Sequence, residues 1–193
     1  MTTVMNAAPP DRAAATRQRI IDAAAPLFRA HGTDGVGVDA IMHAAGLTHG
    51  GFYAHFPSKE ALIGEAAAAD LSRSAARWEH VVQTGPAEAA LAQLVSAYLD
   101  PRHLQGDGRT CVLATLGPDI ARRPAARAGI SAAMLRMIEA LAHCLPGHGA
   151  ARKRRRAMAK LSCLVGAVTL ARLAEDAALA EELLEAAKAE VLR

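Results

Sequence analysis

The chain has 193 residues and a formal net charge of +3 at pH 7, so it is long enough for two compact domains and too short for a third. Its hydrophobic content is 52% but aromatic residues make up only 3%, a composition that favours closely packed helices over sheets. No apolar run approaches the roughly 18 residues of a membrane span, and residues 1–11 have neither the basic start nor the apolar core of a secretion signal. We therefore expect an all-α protein of the cytoplasm that makes no contact with a membrane.

The first predicted elements are a flexible arm and a long helix. Paired prolines in residues 1–11 predict an N-terminal arm, and the following helix is expected from Arg12 to His31, with Gly32 as its stop. Apolar residues at helical spacing predict its buried stripe, which consists of Ile20, Ile21, Ala24, Leu27 and Phe28.

Two short helices joined by a tight turn are predicted next. The first has an apolar face at positions i, i+3, i+4 and i+7, formed by Val38, Ile41, Met42 and Ala45. Gly46 supplies the left-handed conformation that a tight turn needs, with Leu47 buried beside it, and Thr48 can cap a second helix over His49–His55. This layout is typical of a helix-turn-helix, with the second helix as the part that reads DNA.

The outward and inward sides of that second helix are also predicted. Phe52 and Phe56 would hold it on the first helix, while His49, Gly50 and Tyr53 face outward.

A linking helix and a larger helical region follow. The linking helix is expected to open near Pro57 and to carry an apolar stripe from Leu62 toward Trp78, which Gly85-Pro86 then ends. A polar loop is expected over Asp100–Arg109. The remaining predicted helices are Ala87–Leu99, a stretch from Thr110 that Pro118 and Pro124 make irregular, a helix that ends at Pro146, Ala150–Glu175 and Ala177–Leu192.

The segment AGLTHGGFYAHFPSKEAL, residues 45–62, resembles the signature of the TetR family of bacterial transcriptional repressors, and residues 16–31 resemble that family's first helix. The resemblance implies about nine helices, with a three-helix DNA-binding head over residues 12–60 and a ligand-binding and dimerisation domain over residues 61–193. It further implies a ligand-responsive regulator, usually a repressor, that binds a palindromic double-stranded DNA operator as a homodimer and needs no cofactor.

The resemblance and the expected exposure together indicate the DNA-binding residues, which are Arg17, Thr48, His49, Gly50, Gly51, Tyr53, His55 and Lys59. Thr48 would meet a phosphate or serve only as a helix cap, and His49 would reach a base edge or remain solvated. The two glycines weaken a helix by about 1 kcal/mol each relative to alanine, which fits either a close approach of the backbone to DNA or fraying. His55 would otherwise pack against Phe56.

One position departs from the family pattern. Many relatives carry two hydroxyl residues before the first helix of the motif, whereas this chain has Val36-Gly37. Gly37 offers no side-chain cap, so Asp39 and the helix dipole are left to stabilise that end, and no DNA contact is assigned to Val36.

The last two helices resemble the dimer interface of the family, in which two helices from each subunit form a four-helix bundle. The predicted interface residues are Leu161, Leu164, Val165, Val168, Arg172, Leu179, Leu183 and Ala187. The alternative is that these residues form the core of a single subunit.

The family's small-molecule effector is expected in a pocket of the larger domain. Its candidate wall residues are Trp78, Leu94, Tyr98, Leu113, Leu116, Met134, Met137 and Leu141, with core packing as the alternative for each. Because these side chains are mostly apolar, a hydrophobic or amphipathic effector is expected, one that shifts the protein to a conformation unable to bind DNA.

Cys111 is a possible redox sensor. It lies at an expected helix start near Arg109, and both features would lower the pKa of a thiol, although inert packing is the alternative. An enzyme that pairs Cys111 with His103 is a more remote interpretation, as is a helical protein that no longer binds DNA. The chain has no phosphate-binding loop, no HExxH or GxSxG motif and no metal-ligand spacing, so no catalytic or metal-binding residue is assigned.

Overall fold

The computed structural model describes residues 12–105 and 110–193. Within these ranges the chain folds into eight α-helices and two short 3₁₀-helices, with no strand, which confirms the expected all-α fold. The α-helices are α1 (Arg12–His31), α2 (Val38–Ala44), α3 (Lys59–Thr84), α4 (Ala87–Tyr98), α5 (Val112–Ala121), α6 (Pro124–Cys144), α7 (Ala150–Leu173) and α8 (Ala177–Leu192). No helix among the described residues has the length and apolar character that crossing a bilayer requires.

Two regions that were predicted from the sequence lie wholly or partly outside these ranges. The N-terminal arm over residues 1–11 and the last part of the predicted polar loop, residues 106–109, lie outside the described residues. The first part of that loop contains a 3₁₀-helix, Pro101–Leu104, which the side chain of Asp100 caps by accepting a hydrogen bond from the Arg102 backbone N–H.

The bounds of α1 agree with the prediction. Gly32 ends the helix with a φ of 74°, a left-handed conformation that glycine adopts without strain. Four of the five predicted stripe residues are buried, and the fifth, Leu27, is partly buried against the same core.

The turn of the helix-turn-helix also agrees with the prediction. Gly46 has a φ of 66°, and the backbone N–H groups of Gly46 and Leu47 donate to carbonyls in the last turn of α2. Leu47 is partly buried against the core. At the other end of α2, Gly37 has extended backbone and gives no side-chain cap, as its residue type requires.

The second helix of the motif differs from the prediction. It is a 3₁₀-helix over His49–Ala54, which we call the reader segment, rather than an α-helix that reaches His55. Thr48 stands at its N-cap position, but the Thr48 side chain makes no capping hydrogen bond. With two consecutive glycines and no side-chain cap, the segment lacks the local support that a full α-helix needs. We call α1, α2 and the reader segment together the head.

Helix α3 links the head to the rest of the molecule. Its 26 residues would span about 39 Å, and the Ser58 hydroxyl caps its start by accepting a hydrogen bond from the Ala61 N–H at 3.2 Å. Pro57 therefore precedes the cap instead of opening the helix.

Small residues bring α3 and α6 into close contact. A Cβ atom on Gly64 would lie 3.2 Å from the Cβ of Ala126, and one on Gly129 would lie only 2.6 Å from the Cβ of Ala68. The two backbones can approach this closely only because both glycines lack a side chain.

The expected irregularity at the two prolines is not observed. Pro124 occupies the start of α6, where its missing N–H is not needed, and α5 continues through Pro118 to Ala121. Pro118 cannot donate to the carbonyl of Ala114, four residues earlier. That carbonyl instead accepts a hydrogen bond from the Thr169 hydroxyl of α7 at 3.4 Å, which helps the helix to tolerate the proline.

Candidate nucleic-acid interface and ligand cavity

The reader segment has an exposed side and a buried side. Tyr53 is 66% exposed, whereas Phe52 and Phe56 are completely buried, with their ring centroids 5.8 Å apart. The Tyr53 ring also meets Phe52 edge to face at 5.2 Å, which fixes the base of the tyrosine while its hydroxyl points away from the core. The predicted orientation of these three aromatic residues is confirmed.

His49 is held by the other helix of the motif. Its Nδ1 atom lies in ion-pair contact with a carboxylate oxygen of Asp39, and both side chains are mostly exposed. Asp39 lies in the first turn of α2, where a negative charge also compensates for the missing cap. The contact fixes the orientation of the imidazole ring and leaves its Nε2 atom available.

The other predicted contact residues surround this exposed side. Thr48 is exposed and its hydroxyl is not used as a cap, while His55 and Lys59 are half-buried. A Cβ atom on Gly50 would meet nothing within 4 Å, and one on Gly51 would lie 3.6 Å from the flexible end of Met42. The protein's own packing therefore does not require glycine at position 50.

Arg17 has a different environment from the one predicted. Its guanidinium lies 4.4 Å from the centroid of the Phe56 ring and pairs with Glu65 of α3 at 2.5 Å. These contacts join α1, Phe56 just beyond the reader segment, and α3 inside the protein. Arg19, which the sequence analysis did not select, donates to the Ala45 carbonyl at 2.6 Å and so ties α1 to the turn of the motif.

A cavity of about 350 Å³ lies beside α3 and α4, at the lower end of the size range for small-molecule sites. Four predicted wall residues line it, namely Trp78, Leu94, Tyr98 and Met137. The other four are not among its lining residues: Leu116 and Leu141 are buried in the core, and Leu113 and Met134 are partly buried against it.

Most of the polar wall of the cavity was not predicted from the sequence. The lining residues that matter most for its chemistry are Arg29, Asp70, Arg77, His103, Thr110 and Cys111. A cavity with two arginines and one aspartate in its wall is more polar than the expected hydrophobic one. Helical spacing could not reveal it, because these residues come from separate parts of the chain.

Tyr98 brings an unsatisfied polar group to this cavity. The residue is only 5% exposed, and its hydroxyl has no hydrogen-bond partner among the described residues. The Cys111 thiol lies nearby, but that contact does not have hydrogen-bond geometry. Burial raises the pKa of the Tyr98 hydroxyl well above its usual value, and the thiol raises it further, so the hydroxyl keeps its proton and can donate it to an acceptor.

The predicted low pKa of Cys111 is not observed. Cys111 is the N-cap residue of α5, but burial of its thiol raises the pKa above the usual value. Loss of solvation therefore outweighs the effect of the helix start. The proposed neighbour Arg109 lies outside the described residues, and His103 uses its Nδ1 for a 2.7 Å contact with the Tyr98 carbonyl.

An ionic network connects the cavity wall to the head. Asp70 of α3 pairs with Arg29 of α1 and, at 3.4 Å, with Arg73 of its own helix. Arg73 in turn pairs with Asp22 of α1 at 2.8 Å. Asp70 thus belongs both to the wall of the cavity and to the contact between α1 and α3.

A second set of polar contacts involves the loop between α1 and α2. Arg123, just before α6, pairs with Glu60 at 2.7 Å and with Asp34 at 3.2 Å. The buried hydroxyl of Thr33 donates to Asp119 of α5 at 3.1 Å. Polar contacts therefore connect the loop between α1 and α2 with α5 and with Arg123, which also pairs with the start of α3.

The predicted dimer residues are divided between the core and the surface. Leu161, Leu164, Val168 and Ala187 are buried within the single chain, which is the alternative left open by their spacing. Arg172 donates to the Thr110 hydroxyl at 3.1 Å, so it also acts within the subunit. Val165 and Leu183 are half-buried, and Leu179 is exposed.

Two leucines that the prediction did not include are exposed on α7. Leu170 is 53% exposed and Leu173 is 77% exposed, the latter being the most exposed large apolar side chain among the described residues. The free apolar face of α7 is therefore displaced around the helix from the predicted one.

Comparison with known proteins matches one part of the chain to a family model. The family model for bacterial regulatory proteins of the TetR family matches residues 20–66, which include most of α1, the reader segment and the start of α3. A comparison with curated proteins gives no match.

Solved structures extend the similarity to nearly the whole chain. A TetR-family transcriptional regulator from Cytophaga hutchinsonii is similar with a TM-score of 0.75 at 21% identity, covering 96% of both chains. A TetR transcriptional regulator from Legionella pneumophila has a TM-score of 0.75 at 20% identity, covering 98% of this chain and 97% of its own. The reduced form of E. coli NemR has a TM-score of 0.73 at 19% identity, covering 92% of this chain and 95% of its own. The chain is thus similar to the TetR family of helix-turn-helix regulators in two respects: residues 20–66 match the family model, and the chain shares the fold of these solved structures.

Proposed function

We propose that the protein is a transcriptional repressor that binds a palindromic operator as a homodimer and leaves it when a small molecule occupies the cavity beside α3 and α4. The observation that carries this proposal is the double position of Asp70, which lines the cavity and also pairs with Arg29 of the head. In this proposal residues 12–60 bind DNA, and residues 61–193 bind the effector and form the dimer.

The proposed DNA-binding surface is the exposed side of the reader segment and its flanks. It consists of Thr48, His49, Gly50, Gly51, Tyr53, His55 and Lys59. Thr48, Tyr53 and Lys59 carry hydrogen-bond donors suited to phosphates, and His49 is oriented by Asp39 toward a base edge. Arg17 is omitted, because its charge is already paired with Glu65.

The proposed dimer interface uses the outer faces of α7 and α8. Leu170 and Leu173 are exposed on α7, and Leu179 is exposed near the start of α8. Three exposed leucines on neighbouring helices form the kind of apolar surface that a second subunit covers. A twofold dimer would present two reader segments to the two halves of a palindrome.

Release follows from a shift between two conformations. A ligand that binds the DNA-incompetent conformation more tightly, by a few kcal/mol, depletes the operator-bound state. The polar contacts at Asp70 and Arg123 are suited to this role, because ion pairs can exchange partners with little change in core packing.

Sensing through Cys111 has less support than reversible binding. The cysteine does line the cavity, but its raised pKa leaves less thiolate at neutral pH than an exposed cysteine has. The TetR-family fold likewise points to a regulator and not to an enzyme.

The proposal is tested by incubating the purified protein with fragmented DNA of its source genome and sequencing the retained fragments. Enrichment of one palindromic site is the expected result, and Tyr53→Ala serves as the matched control because it alters only an exposed residue of the surface. If the folded wild-type protein enriches no site, or if Tyr53→Ala enriches the same site equally well, the proposed DNA-binding surface is incorrect.

A further inference from the structure

The chemistry of the cavity narrows the class of molecule that it takes. We propose that the effector is a small aromatic carboxylate, with its ring between Trp78 and Met137 and its carboxylate at the Tyr98 hydroxyl. This inference rests on the proposed function, since it names the ligand class for the same cavity.

The first argument is the unsatisfied hydroxyl of Tyr98. A buried hydroxyl without a partner is unfavourable by about 1 to 3 kcal/mol, so native proteins rarely keep one without a reason. The high pKa of this group keeps it protonated, which makes it a donor and so selects an acceptor on the ligand. Because Tyr98 lines the cavity, we take a ligand oxygen as the partner that this buried hydroxyl lacks.

The second argument is the charge of the wall. Among the described lining residues, Arg29 and Arg77 carry positive charge and only Asp70 carries negative charge. Asp70 is already shared between Arg29 and Arg73, whereas Arg77 donates only to the neutral Ser74 hydroxyl in the contacts of its side chain, at 2.9 Å. Arg77 therefore has no acidic partner among the described residues, and its charge favours an anionic ligand over a neutral or cationic one.

The third argument is the apolar part of the cavity. Trp78 and Tyr98 meet edge to face with their ring centroids 5.8 Å apart, and Leu94 and Met137 complete the wall. Flat aromatic faces and a polarizable thioether are favourable partners for an aromatic ring. A volume of about 350 Å³ limits the ligand to one or two rings.

The position of the carboxylate also explains how the ligand would act. Asp70, Arg29 and Tyr98 all line this one cavity. A carboxylate bound there competes with Asp70 for Arg29 and repels the aspartate. The contact between α1 and α3 would loosen as a result.

The sole tryptophan of the chain makes a direct binding test possible. Fluorescence of Trp78 is followed while the full-length protein is titrated with benzoate, with its uncharged isostere benzamide and with benzylamine, and calorimetry repeats each titration. We expect benzoate to bind at least tenfold more tightly than benzamide and benzylamine to bind most weakly. Equal binding of benzoate and benzamide, or no signal with benzoate up to its solubility limit, would overturn the proposal.

Two variants locate the site, each with a matched control. Tyr98→Phe should weaken benzoate binding about tenfold without lowering Tm, since the removed hydroxyl has no partner among the described residues. Tyr53→Phe removes an exposed hydroxyl and should leave benzoate binding unchanged.

Arg77→Gln should weaken benzoate binding severalfold. Arg122→Gln, which changes an exposed arginine outside the cavity, should not weaken it. Benzoate binding that neither cavity variant affects would also overturn the proposal.

The binding test is independent of DNA. If a palindromic site is enriched but benzoate does not bind, only the proposed ligand class is incorrect. If benzoate binds as expected but no site is enriched, the ligand class stands and the proposed DNA-binding role fails.

Discussion

Arg29 of α1 and Asp70 of α3 form an ion pair whose side chains are only 13% and 15% exposed, so most of it is shielded from water. The same aspartate lines the cavity. A charge pair in this position stabilises the contact between the two helices only while both partners remain engaged, because an uncompensated buried charge is strongly unfavourable. Both residues of this contact between α1 and α3 therefore lie in the cavity wall.

The first prediction concerns this ion pair. Asp70→Asn keeps the size of the side chain but removes its charge, and with it the ion pairs of Asp70 with Arg29 and Arg73. We expect the free energy of unfolding to fall by about 1 to 3 kcal/mol, measured by urea denaturation. Asp22→Asn is the control: its side chain is half-exposed, so a loss below about 1 kcal/mol is expected. Equal losses in the two variants would mean that burial of the pair has no energetic importance.

The second prediction separates what the fold requires from what DNA binding requires. Gly50→Ala adds a methyl group that meets no protein atom within 4 Å, so Tm should not fall. The methyl group would face the DNA, and we expect affinity for the selected site to fall by roughly tenfold or more in a fluorescence anisotropy titration.

Gly46→Ala is the contrasting variant for that experiment. Its backbone has a φ of 66°, which alanine adopts only with strain, and its Cβ would lie 3.3 Å from Arg19. We expect stability to fall by about 1 to 2 kcal/mol. If Gly50→Ala binds the site like the wild type, the backbone at position 50 does not approach the DNA closely.

The third prediction distinguishes a base contact from a phosphate contact. His49→Ala should change the relative affinities for operator variants that differ by one base pair, by about 1 to 3 kcal/mol, because a base contact carries sequence information. Tyr53→Ala should weaken binding to all of these operators alike, because phosphates are the same in every sequence. Competition titrations across the operator series measure both effects. A uniform loss for His49→Ala would reassign His49 to the phosphate backbone.

Local features of the fold were accessible from the sequence because each depends on a few neighbouring residues. The stop of α1 at Gly32 and the turn at Gly46 both need a left-handed backbone that glycine allows, and both were predicted. The reader segment was predicted in position but not in type. Helix-breaking glycines compete there with tertiary packing of Phe52 and Phe56, and residue spacing alone does not give the balance.

The polar wall of the cavity could not be predicted for a different reason. Arg29 and Asp70 are 41 residues apart in the chain, and nothing in either local pattern indicates that they meet. The dimer residues illustrate a related limit. Periodicity identified residues that share a face of α7, but it could not tell whether that face packs on the same subunit or on a second one.

The fourth prediction concerns the outer face of α7. Leu173→Glu places a charge in the proposed dimer interface, so the variant should sediment as a monomer at concentrations where the wild type is a dimer. Leu135→Glu, an exposed leucine on α6, is the control and should leave the dimer intact. Analytical ultracentrifugation of both variants gives the result. A dimeric Leu173→Glu variant would show that the subunits associate through a different surface.

The fifth prediction concerns the pH dependence of Cys111. Burial raises the pKa of its thiol in the folded protein, and the thiolate is the form that reacts with alkylating agents. As pH rises, the folded protein should therefore reach half of its maximal alkylation rate at a higher pH than the urea-unfolded chain. The measurement is the rate of iodoacetamide labelling of the Cys111 peptide by mass spectrometry between about pH 7 and pH 11. The pH midpoint is compared instead of the absolute rate, because restricted access lowers the rate at every pH without moving the midpoint.

A thiol-based sensor requires the opposite order of the two midpoints, since its folded form must hold more thiolate than the unfolded chain does at neutral pH. A lower midpoint in the folded protein would therefore support sensing by Cys111. Reversible ligand binding alone would then not explain the cavity.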